Sequence, residues 1–381
     1  MASKWIARAC GLAIGFVLGC TESTPPAPNL GPANNADAGA AADAADVPPA
    51  GNGGSGGGAV IDAQQPESTT GGDDATAADS GATVDVARDA IAPAADAPAG
   101  KVSHRLLSSI SDKGQMAIIG KDGQIEWQFN VLSLGGEAND AWVLPNGNVA
   151  FAYKQGAREM TPAKTVVWNY TAPAGTEVHT CQPLPGGNFL IGEAHDAGVG
   201  LLRELDGTGK VVSTVTITVP GGLAPHSQFR EVRKTPRGTY LVTYLQTNKA
   251  MEFDATGKKL RDFACGSFVA IRLPDGNTLI SCGDAHRVIE VDAQDKIVWE
   301  VTESEIPGNR LGFAAGLQRL ANGNTVICNW PGHASNPNSP QAFEVTRDKK
   351  LVWELNNPQL GWTSNVDVLD PEAQIAGVPL R

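Results

Sequence analysis

Short runs of alternating hydrophobic and polar residues, separated by tight turns, recur through residues 101–381. One repeated string joins the end of one apolar run to the start of the next through a Gly-containing turn. It reads LPNGN (144–148), LPGGN (184–188), TPRGT (235–239), LPDGN (273–277) and LANGN (320–324). Asn-Gly and Asp-Gly supply the positive φ angles that short hairpin turns need. The pattern therefore predicts five β-hairpins.

A second string follows each hairpin and usually ends in Trp. It reads QIEW, TVVW, KVVS, KLRD, KIVW and KLVW, with final positions 127, 168, 213, 262, 299 and 353. Between the two strings lies another alternating run, such as RVIEV at 287–291. Four short strands in roughly 45 residues are typical of one β-propeller blade. We name these strands a to d outward from the axis, with strand a before the Leu-Pro turn.

The two ends of this region explain why there are six d strands but only five of the turns. Residues 103–128 supply strands b, c and d without an a, and residues 362–369 supply an a alone. The sequence therefore predicts an all-β, six-bladed propeller of four-stranded blades. Its ring closes where the N-terminal strands b, c and d pair with a C-terminal strand a, which leaves no free sheet edge.

Residues 101–381 resemble the bacterial quinoprotein-like and arylsulfotransferase-like propellers. The similarity is carried by GNTLISCGDAHRVIEVDAQDKIVWEV at 276–301 and GNTVICNWPGH at 323–333. These strings identify blades rather than an activity. Propellers have many functions, so the function has to be argued from a site.

Charge separates the propeller region from the segment before it. The chain holds 41 acidic and 29 basic residues, a formal net charge of −12. This balance excludes nucleic acid as the main partner, since phosphate binding needs a surplus of Lys and Arg. Most of the acidity lies at 21–100, a stretch rich in Ala, Asp, Gly and Pro without Phe, Trp or Tyr. We expect it to be a disordered, acidic tether.

Residues 1–20 have the organisation of an export signal. Lys4 and Arg8 precede an apolar run of about ten residues, too short to span a bilayer. The run ends in Val17-Leu18-Gly19-Cys20, which resembles a bacterial lipobox. That resemblance implies lipidation of Cys20 and an anchor in the bacterial membrane. Thr21 after the cysteine implies the outer membrane, facing the periplasm or the exterior. The alternative is an ordinary secretory signal with an incidental cysteine.

Blade topology places most histidines on one face. The a–b and c–d turns lie on one face, the bottom, and the b–c and d–a connections lie on the other, the top. Five histidines fall at the top, and His104 falls at the bottom. The expected top-face ligand residues are Asn139, Asp140, His195, Asp284, His286, Arg287, Arg310, Trp330, His333, Trp362 and Asn365, together with His179, His226 and Arg230. A polar and aromatic mouth over a central channel predicts a small-ligand site.

The cysteines leave three interpretations open. Cys282 with His286, and Cys328 with His333, stand four and five residues apart at the b–c bends of adjacent blades. Thiolate and imidazole suit zinc or copper, so a divalent metal ion on these four residues is one interpretation. An exported protein also permits disulfides among Cys181, Cys265, Cys282 and Cys328. Buried free thiols are the third interpretation.

The sequence favours a binding function, with an enzyme as the alternative. A lipid-anchored ring would present its top face to a small molecule, a glycan or an envelope protein, which Trp330 and Trp362 would stack against. The arylsulfotransferase-like resemblance instead implies His226 or His179 as nucleophile, with Arg230 stabilising the developing charge. A metal-dependent lactonase-like hydrolase would use Asn139, Asp140, Asn365 and Asp367 around a channel ion. No cofactor beyond a possible divalent ion is expected.

Overall fold

A computed structural model describes residues 103–196, 198–221, 223–308, 310–332, 339–375 and 381. The residues assigned to the signal (1–20, with Cys20) and to the tether (21–100) lie outside this part, as does His333. The described residues form six four-stranded antiparallel sheets, which confirms the six-bladed propeller. They contain four 3-10 helices, at Leu132–Leu134, Pro225–Ser227, Glu303–Glu305 and Pro371–Ala373, and no α-helix. No helix among them is both long and apolar enough to cross a bilayer.

The first blades in the chain follow the repeat. Strands β1 (Leu106–Ile110), β2 (Gln115–Ile119) and β3 (Ile125–Asn130) are strands b to d of blade 6. Blade 1 is β4 (Ala138–Val143), β5 (Val149–Tyr153), β6 (Gly156–Met160) and β7 (Val166–Thr171). Blade 2 is β8 (Thr176–Pro183), β9 (Phe189–His195), β10 (Val199–Leu205) and β11 (Val211–Thr218).

The remaining blades continue in the same order. Blade 3 is β12 (Phe229–Lys234), β13 (Tyr240–Tyr244), β14 (Lys249–Phe253) and β15 (Lys259–Asp262). Blade 4 is β16 (Ala270–Arg272), β17 (Thr278–Ser281), β18 (Arg287–Val291) and β19 (Ile297–Thr302). Blade 5 is β20 (Ala314–Arg319), β21 (Thr325–Asn329), β22 (Ala342–Val345) and β23 (Leu351–Leu355). Strand β24 (Thr363–Val368) is strand a of blade 6 and pairs antiparallel with β1, with Leu106 opposite Val368.

The a–b turns have the geometry that their sequences require. In blade 1 the Gly147 N–H donates to the carbonyl of Leu144 at 2.8 Å, and the φ of Gly147 is 82°. Gly276 has φ 90° at the equivalent turn of blade 4. A side chain at either position would be strained, because L-residues rarely adopt positive φ. These glycines fix the bottom ends of strands a and b.

The core lies between neighbouring blades and is built from residues on alternate positions of the strands. Trp168 of strand d in blade 1, for example, packs against Phe189 of blade 2 with ring centroids 4.5 Å apart. Aromatic contacts of this kind bury large areas and so stabilise the blade interfaces.

A repeated ion pair joins successive blades near the bottom face. A glutamate near the end of strand c accepts from a basic residue that belongs to the next blade. The pairs are Glu204–Lys234 (2.5 Å), Glu252–Arg272 (2.6 Å), Glu290–Arg319 (2.9 Å) and Glu344–His104 (2.8 Å). The last pair belongs to the seam where the ring closes.

Candidate functional site

Three of the residues expected at the top face lie together, and two of them contact one carboxylate. His179 lies within strand a of blade 2, His226 lies in the 3-10 helix before strand a of blade 3, and Arg230 lies in that strand. Glu177, also in β8, lies among them. We call Glu177, His179, His226 and Arg230 the mouth cluster, because they lie where strands a begin, at the top of the channel.

Arg230 sets the proton positions on both imidazoles. Its guanidinium donates to His179 Nδ1 at 3.2 Å and to His226 Nε2 at 3.3 Å. A guanidinium only donates, so these two nitrogens accept, and the ring protons lie on His179 Nε2 and His226 Nδ1. Both protonated nitrogens face Glu177 Oε2, at 3.4 Å from His179 and 3.0 Å from His226.

The longer of these two contacts leaves a buried donor without a hydrogen bond. His179 is 1% exposed, and its Nε2 has no hydrogen-bond partner among the described residues. An unmade hydrogen bond at a buried donor costs about 1–3 kcal/mol. A ligand atom that accepted from this N–H would remove that cost.

Burial and neighbouring charges hold the cluster in one ionisation state. Burial and the adjacent Arg230 lower the pKa of His179 to about 4, so its ring is neutral at pH 7. Burial acts to raise the pKa of Glu177, but the adjacent His179 ring and the hydrogen bonds from His226 and Lys154 outweigh it and lower that pKa. Lys154 Nζ lies 2.9 Å from Glu177 Oε1. The carboxylate is therefore ionised and accepts from several donors.

A cavity of about 470 Å³ opens on the top face beside the mouth cluster. Its charged lining residues are Lys154, Glu177 and Asp196. Its remaining walls come from the d–a connection between blades 1 and 2 and from the segment before β12, including Ala172, Pro173 and Pro225. The cavity thus combines a charged end with a compact apolar wall, the combination common in small-ligand sites.

A metal ion does not fit the mouth cluster, although Glu177, His179 and His226 are spaced like ligands, with donor atoms within 4.8 Å of one another. An ion would need the lone pairs of His179 Nε2 and His226 Nδ1. Their protons would then have to move to the nitrogens that face Arg230. Metal-bound histidines donate their second N–H to an acceptor, and Arg230 offers only further donors.

Of the four residues considered for a Cys–His metal site, His333 lies outside the described part, and the other three do not form a metal site. Cys282 is bonded to Cys265 in a disulfide, so it cannot supply a thiolate, which corrects that expectation. His286 pairs instead with Glu303 on the surface at 2.8 Å. Cys328 is a buried free cysteine, and burial raises the pKa of its thiol, which opposes metal binding.

Asp140 and Asn365 lie deeper than expected, inside the channel. Arg233 Nη1 and Nη2 donate to the two Asp140 oxygens at 2.9 and 3.0 Å, and Nη2 also donates to Glu231 at 2.5 Å. Asn365 Nδ2 donates to Glu231 at 2.7 Å. Guanidinium groups thus occupy the position that a lactonase-like channel ion would need, which argues against that alternative. Burial raises the pKa of Glu231 well above its usual range.

The other expected residues lie elsewhere on the top of the ring. His195 pairs with Glu193 at 3.0 Å, and its carbonyl accepts from Gln228 close to the mouth cluster. Asn139 donates to the carbonyl of Val178 at 3.4 Å. The further positions are Asp284 in the turn after β17, Arg287 facing Glu300, and Arg310 bonded to Glu354.

Trp330 and Trp362 form a separate pair over blades 5 and 6. Their rings meet edge to face with centroids 6.0 Å apart, and Trp330 Nε1 donates to Ser111 at 2.8 Å. Trp362 is 44% exposed. In a six-bladed ring, blades 5 and 6 stand opposite blades 2 and 3. The expected top-face site therefore divides into the mouth cluster and an aromatic pair across the channel from it.

Sequence reasoning missed the charged residues of the channel: Glu231, Arg233 and Arg381. The signal was present in FREVRK (229–234), where four of six residues on an innermost strand are charged. All three are buried. Arg381 was invisible to the repeat analysis because it lies beyond the last strand.

Comparison with known proteins agrees with the fold. A family model described as Mal s 1 allergenic protein-like matches residues 108–350. A protein of unknown function from Bacteroides caccae, solved by crystallography, is 33% identical, with a TM-score of 0.64. The alignment covers 70% of this chain and 98% of that one. A search of curated proteins finds no match.

More distant solved structures also match. Virginiamycin B lyase from Staphylococcus aureus is 13% identical, with a TM-score of 0.47 and coverage of 68% of this chain and 87% of that one. Regucalcin, a calcium-binding protein from Agrobacterium tumefaciens, is 13% identical, with a TM-score of 0.45 and coverage of 68% and 95%. Similarity at this level carries no information about the chemistry of the mouth cluster.

Proposed function

The chain belongs to the Mal s 1 allergenic protein-like family, and we propose that it binds a small ligand at the mouth cluster. The observation that carries this proposal is the buried His179 Nε2–H, which lacks a hydrogen-bond partner among the described residues. It lies beside Arg230, itself buried, with Glu137 as its nearest carboxylate at 3.8 Å. A buried donor without an acceptor, next to a buried cation, favours a ligand that brings an acceptor.

The cavity beside the cluster supports a ligand of mixed character. Lys154, Glu177 and Asp196 in its lining favour a ligand that carries hydrogen-bonding groups. The apolar wall formed by Ala172, Pro173 and Pro225 favours a compact apolar body. A cavity of about 470 Å³ is large enough for a drug-sized molecule but not for a protein segment of several residues. We therefore favour a small molecule over an envelope protein at this site.

A saccharide is the alternative binding partner and would use a different surface. The half-exposed Trp362, with Trp330 beneath it, offers an apolar plane for stacking a sugar ring. The mouth cluster has more specific polar groups, so the small-molecule proposal takes precedence.

Catalysis at His226 is the second candidate function. Glu177 accepts from His226 Nδ1 at 3.0 Å, the orientation by which a carboxylate positions a histidine base or nucleophile. For His226 Nε2 to act, Arg230 would have to turn from it to the substrate. His179 is unsuited to the nucleophile's role, because it is buried and its Nδ1 accepts from Arg230. Sulfuryl transfer thus remains an alternative for His226 only.

The cellular setting that we propose is the bacterial cell envelope, with the propeller held to the membrane by lipidated Cys20 and the 21–100 tether. The Cys265–Cys282 disulfide supports an oxidising compartment. Expressing the full chain and its Cys20→Ser variant in a Gram-negative host tests this proposal. The full chain should fractionate with membranes and Cys20→Ser should be released; equal fractionation of the two would refute the anchor.

A thermal-shift screen tests the ligand-binding proposal. The wild-type chain is screened against small carboxylates, sulfonates, phenols and monosaccharides. Ligands that raise its melting temperature are then tested on Arg230→Gln, His179→Gln and Trp362→Ala, with Arg105→Gln as a surface control. We expect stabilisation to disappear in the first two variants and to persist in the others. Loss of stabilisation in Trp362→Ala alone would identify the aromatic pair, rather than the mouth cluster, as the binding site. Loss in none of the variants would exclude both sites.

A further inference from the structure

The lower half of the channel holds an arginine side chain of the protein's own. Arg381 lies past the last strand, yet it is 2% exposed. Its guanidinium pairs with Asp140 and Asp367, each at 3.4 Å, and donates to the carbonyl of Ala141. It also stacks on the Trp142 ring, 3.9 Å from the centroid. Two carboxylates, a carbonyl and an aromatic face are all groups that a guanidinium prefers as neighbours.

The same site also holds the main chain of this arginine. Arg233 Nε donates to the main-chain oxygen of Arg381 at 2.5 Å, while the Arg233 guanidinium binds Asp140. The site thus has an acidic end for a guanidinium and a basic end for an oxygen of the arginine main chain. These two ends match the two charged ends of a free arginine.

A cavity of about 400 Å³ connects this site to the bottom face. Arg381 forms part of its wall, and Lys234 and Arg272 lie around it. Both bases are paired, with Glu204 and Glu252, so the entrance is lined by ion pairs. Such a polar entrance is compatible with a zwitterionic ligand.

We propose that the bottom of the channel is a binding site for free arginine, which Arg381 occupies in the absence of ligand. The fit of Arg381 is incomplete, because its Nε and Nη1 atoms have no hydrogen-bond partners among the described residues. A free arginine has no peptide bonds to restrain it and can therefore align its guanidinium with Asp367. This site is separate from the mouth cluster and does not depend on the proposed top-face function.

Removing the Arg381 side chain should open the acidic end of the site without unfolding the ring. In Arg381→Ala, Asp140 keeps both hydrogen bonds from Arg233, and Asp367 keeps the N–H of Val143 at 3.1 Å. Arginine binding to the full-length wild type and to Arg381→Ala is measured by calorimetry and by thermal shift. The competitors are lysine, citrulline and agmatine.

We expect Arg381→Ala to bind arginine at least about tenfold more tightly than the wild type does. We also expect it to bind arginine at least about tenfold more tightly than lysine or citrulline, since neither of these offers a charged planar fork. Agmatine, which lacks the carboxylate, should bind Arg381→Ala more weakly than arginine does but more tightly than lysine or citrulline. The double variant Arg381→Ala/Asp367→Asn should lose the arginine response. Equal binding of arginine and citrulline by Arg381→Ala, or no gain over wild type, would overturn the proposal.

A second variant tests the same proposal in case Arg381→Ala is too unstable to measure. Arg381→Lys keeps a cation in the pocket, but its ammonium cannot stack on Trp142 and bridge both carboxylates as a guanidinium does. Free arginine should displace this lysine and raise the melting temperature of Arg381→Lys more than that of wild type. An equal response in the two proteins would contradict the proposal.

Discussion

The seam of the ring contains a buried histidine between two carboxylates, and we predict that its charge stabilises closure. His104 Nδ1 lies 2.7 Å from Asp370 and its Nε2 lies 2.8 Å from Glu344. The His104 side chain is 8% exposed, and it packs edge-on against Trp353. His104 precedes β1, Asp370 follows β24, and Glu344 belongs to blade 5, so one imidazole joins three segments.

The perturbation is His104→Gln, which keeps a polar side chain but removes the charge. Removing one partner of a buried ion pair costs about 3–5 kcal/mol. Asp370 keeps Lys121 at 3.1 Å, and Glu344 keeps Asn324 at 2.6 Å. The remaining contacts place the expected loss at the lower end, about 3 kcal/mol in the free energy of unfolding near pH 6. Arg105→Gln, which breaks the exposed pair with Glu126, should cost at most about 1 kcal/mol.

The pH dependence of this loss has a definite sign. Burial acts to lower the pKa of His104, but its hydrogen bonds to the carboxylates of Glu344 and Asp370 outweigh it and raise that pKa above 6.5. A raised pKa gives stability that is fully present below the unfolded value and is lost as pH rises through the folded one. The pKa values of Glu344 and Asp370 are lowered in the fold, so their share is lost as pH falls. The clamp therefore contributes most between about pH 5 and 6.5.

Urea denaturation of wild type, His104→Gln and Arg105→Gln, followed by tryptophan fluorescence, measures these differences. At pH 6 His104→Gln should lose clearly more stability than Arg105→Gln. The gap between wild type and His104→Gln should shrink between pH 6 and pH 9, by at most about 1.4 kcal/mol per pH unit. Equal losses in the two variants, or a gap that widens with pH, would refute the reasoning.

Three further predictions concern the cysteines and the blade ion pairs. Replacing both Cys265 and Cys282 by Ala should lower the free energy of unfolding by about 3 kcal/mol, because their bond closes a loop across a sequence separation of 17; chemical denaturation of the oxidised protein checks this. Burial raises the pKa values of the Cys181 and Cys328 thiols, so neither should react with iodoacetamide until the protein unfolds, as peptide mass mapping would reveal. Glu290→Gln should cost about 3 kcal/mol, since Glu290 is buried between two arginines; a loss below about 1 kcal/mol would show that these bases rearrange freely.

The repeat pattern was sufficient to predict the blades, because hairpin turns and alternating strands depend on local sequence. Asn146-Gly147 and Trp168 identify their strands without any tertiary information. Side-chain pairing around the channel depends on the tertiary structure. Arg233 reaches Asp140 across 93 residues, and no spacing rule connects them.

The blade topology was also too coarse to predict which top-face histidines contact one another. His179, His226 and Arg230 were expected on the top face and do come together. His286 shares that face yet pairs at the periphery with Glu303. The position of a residue in its blade gives the face but not the distance from the axis, and that distance decides membership in a site.

The central claim is that a small ligand binds at the mouth cluster, and histidine NMR tests it most directly. The chain has six histidines, few enough to assign their ring ¹⁵N signals in the full-length protein. Before ligand is added, His179 should appear as the neutral Nε2–H tautomer at pH 7. On addition of the best ligand from the thermal-shift screen, the ring signals of His179 and His226 should move while those of His104 and His286 stay fixed. Unmoved His179 and His226 signals, or an Nδ1–H tautomer at His179, would contradict the account.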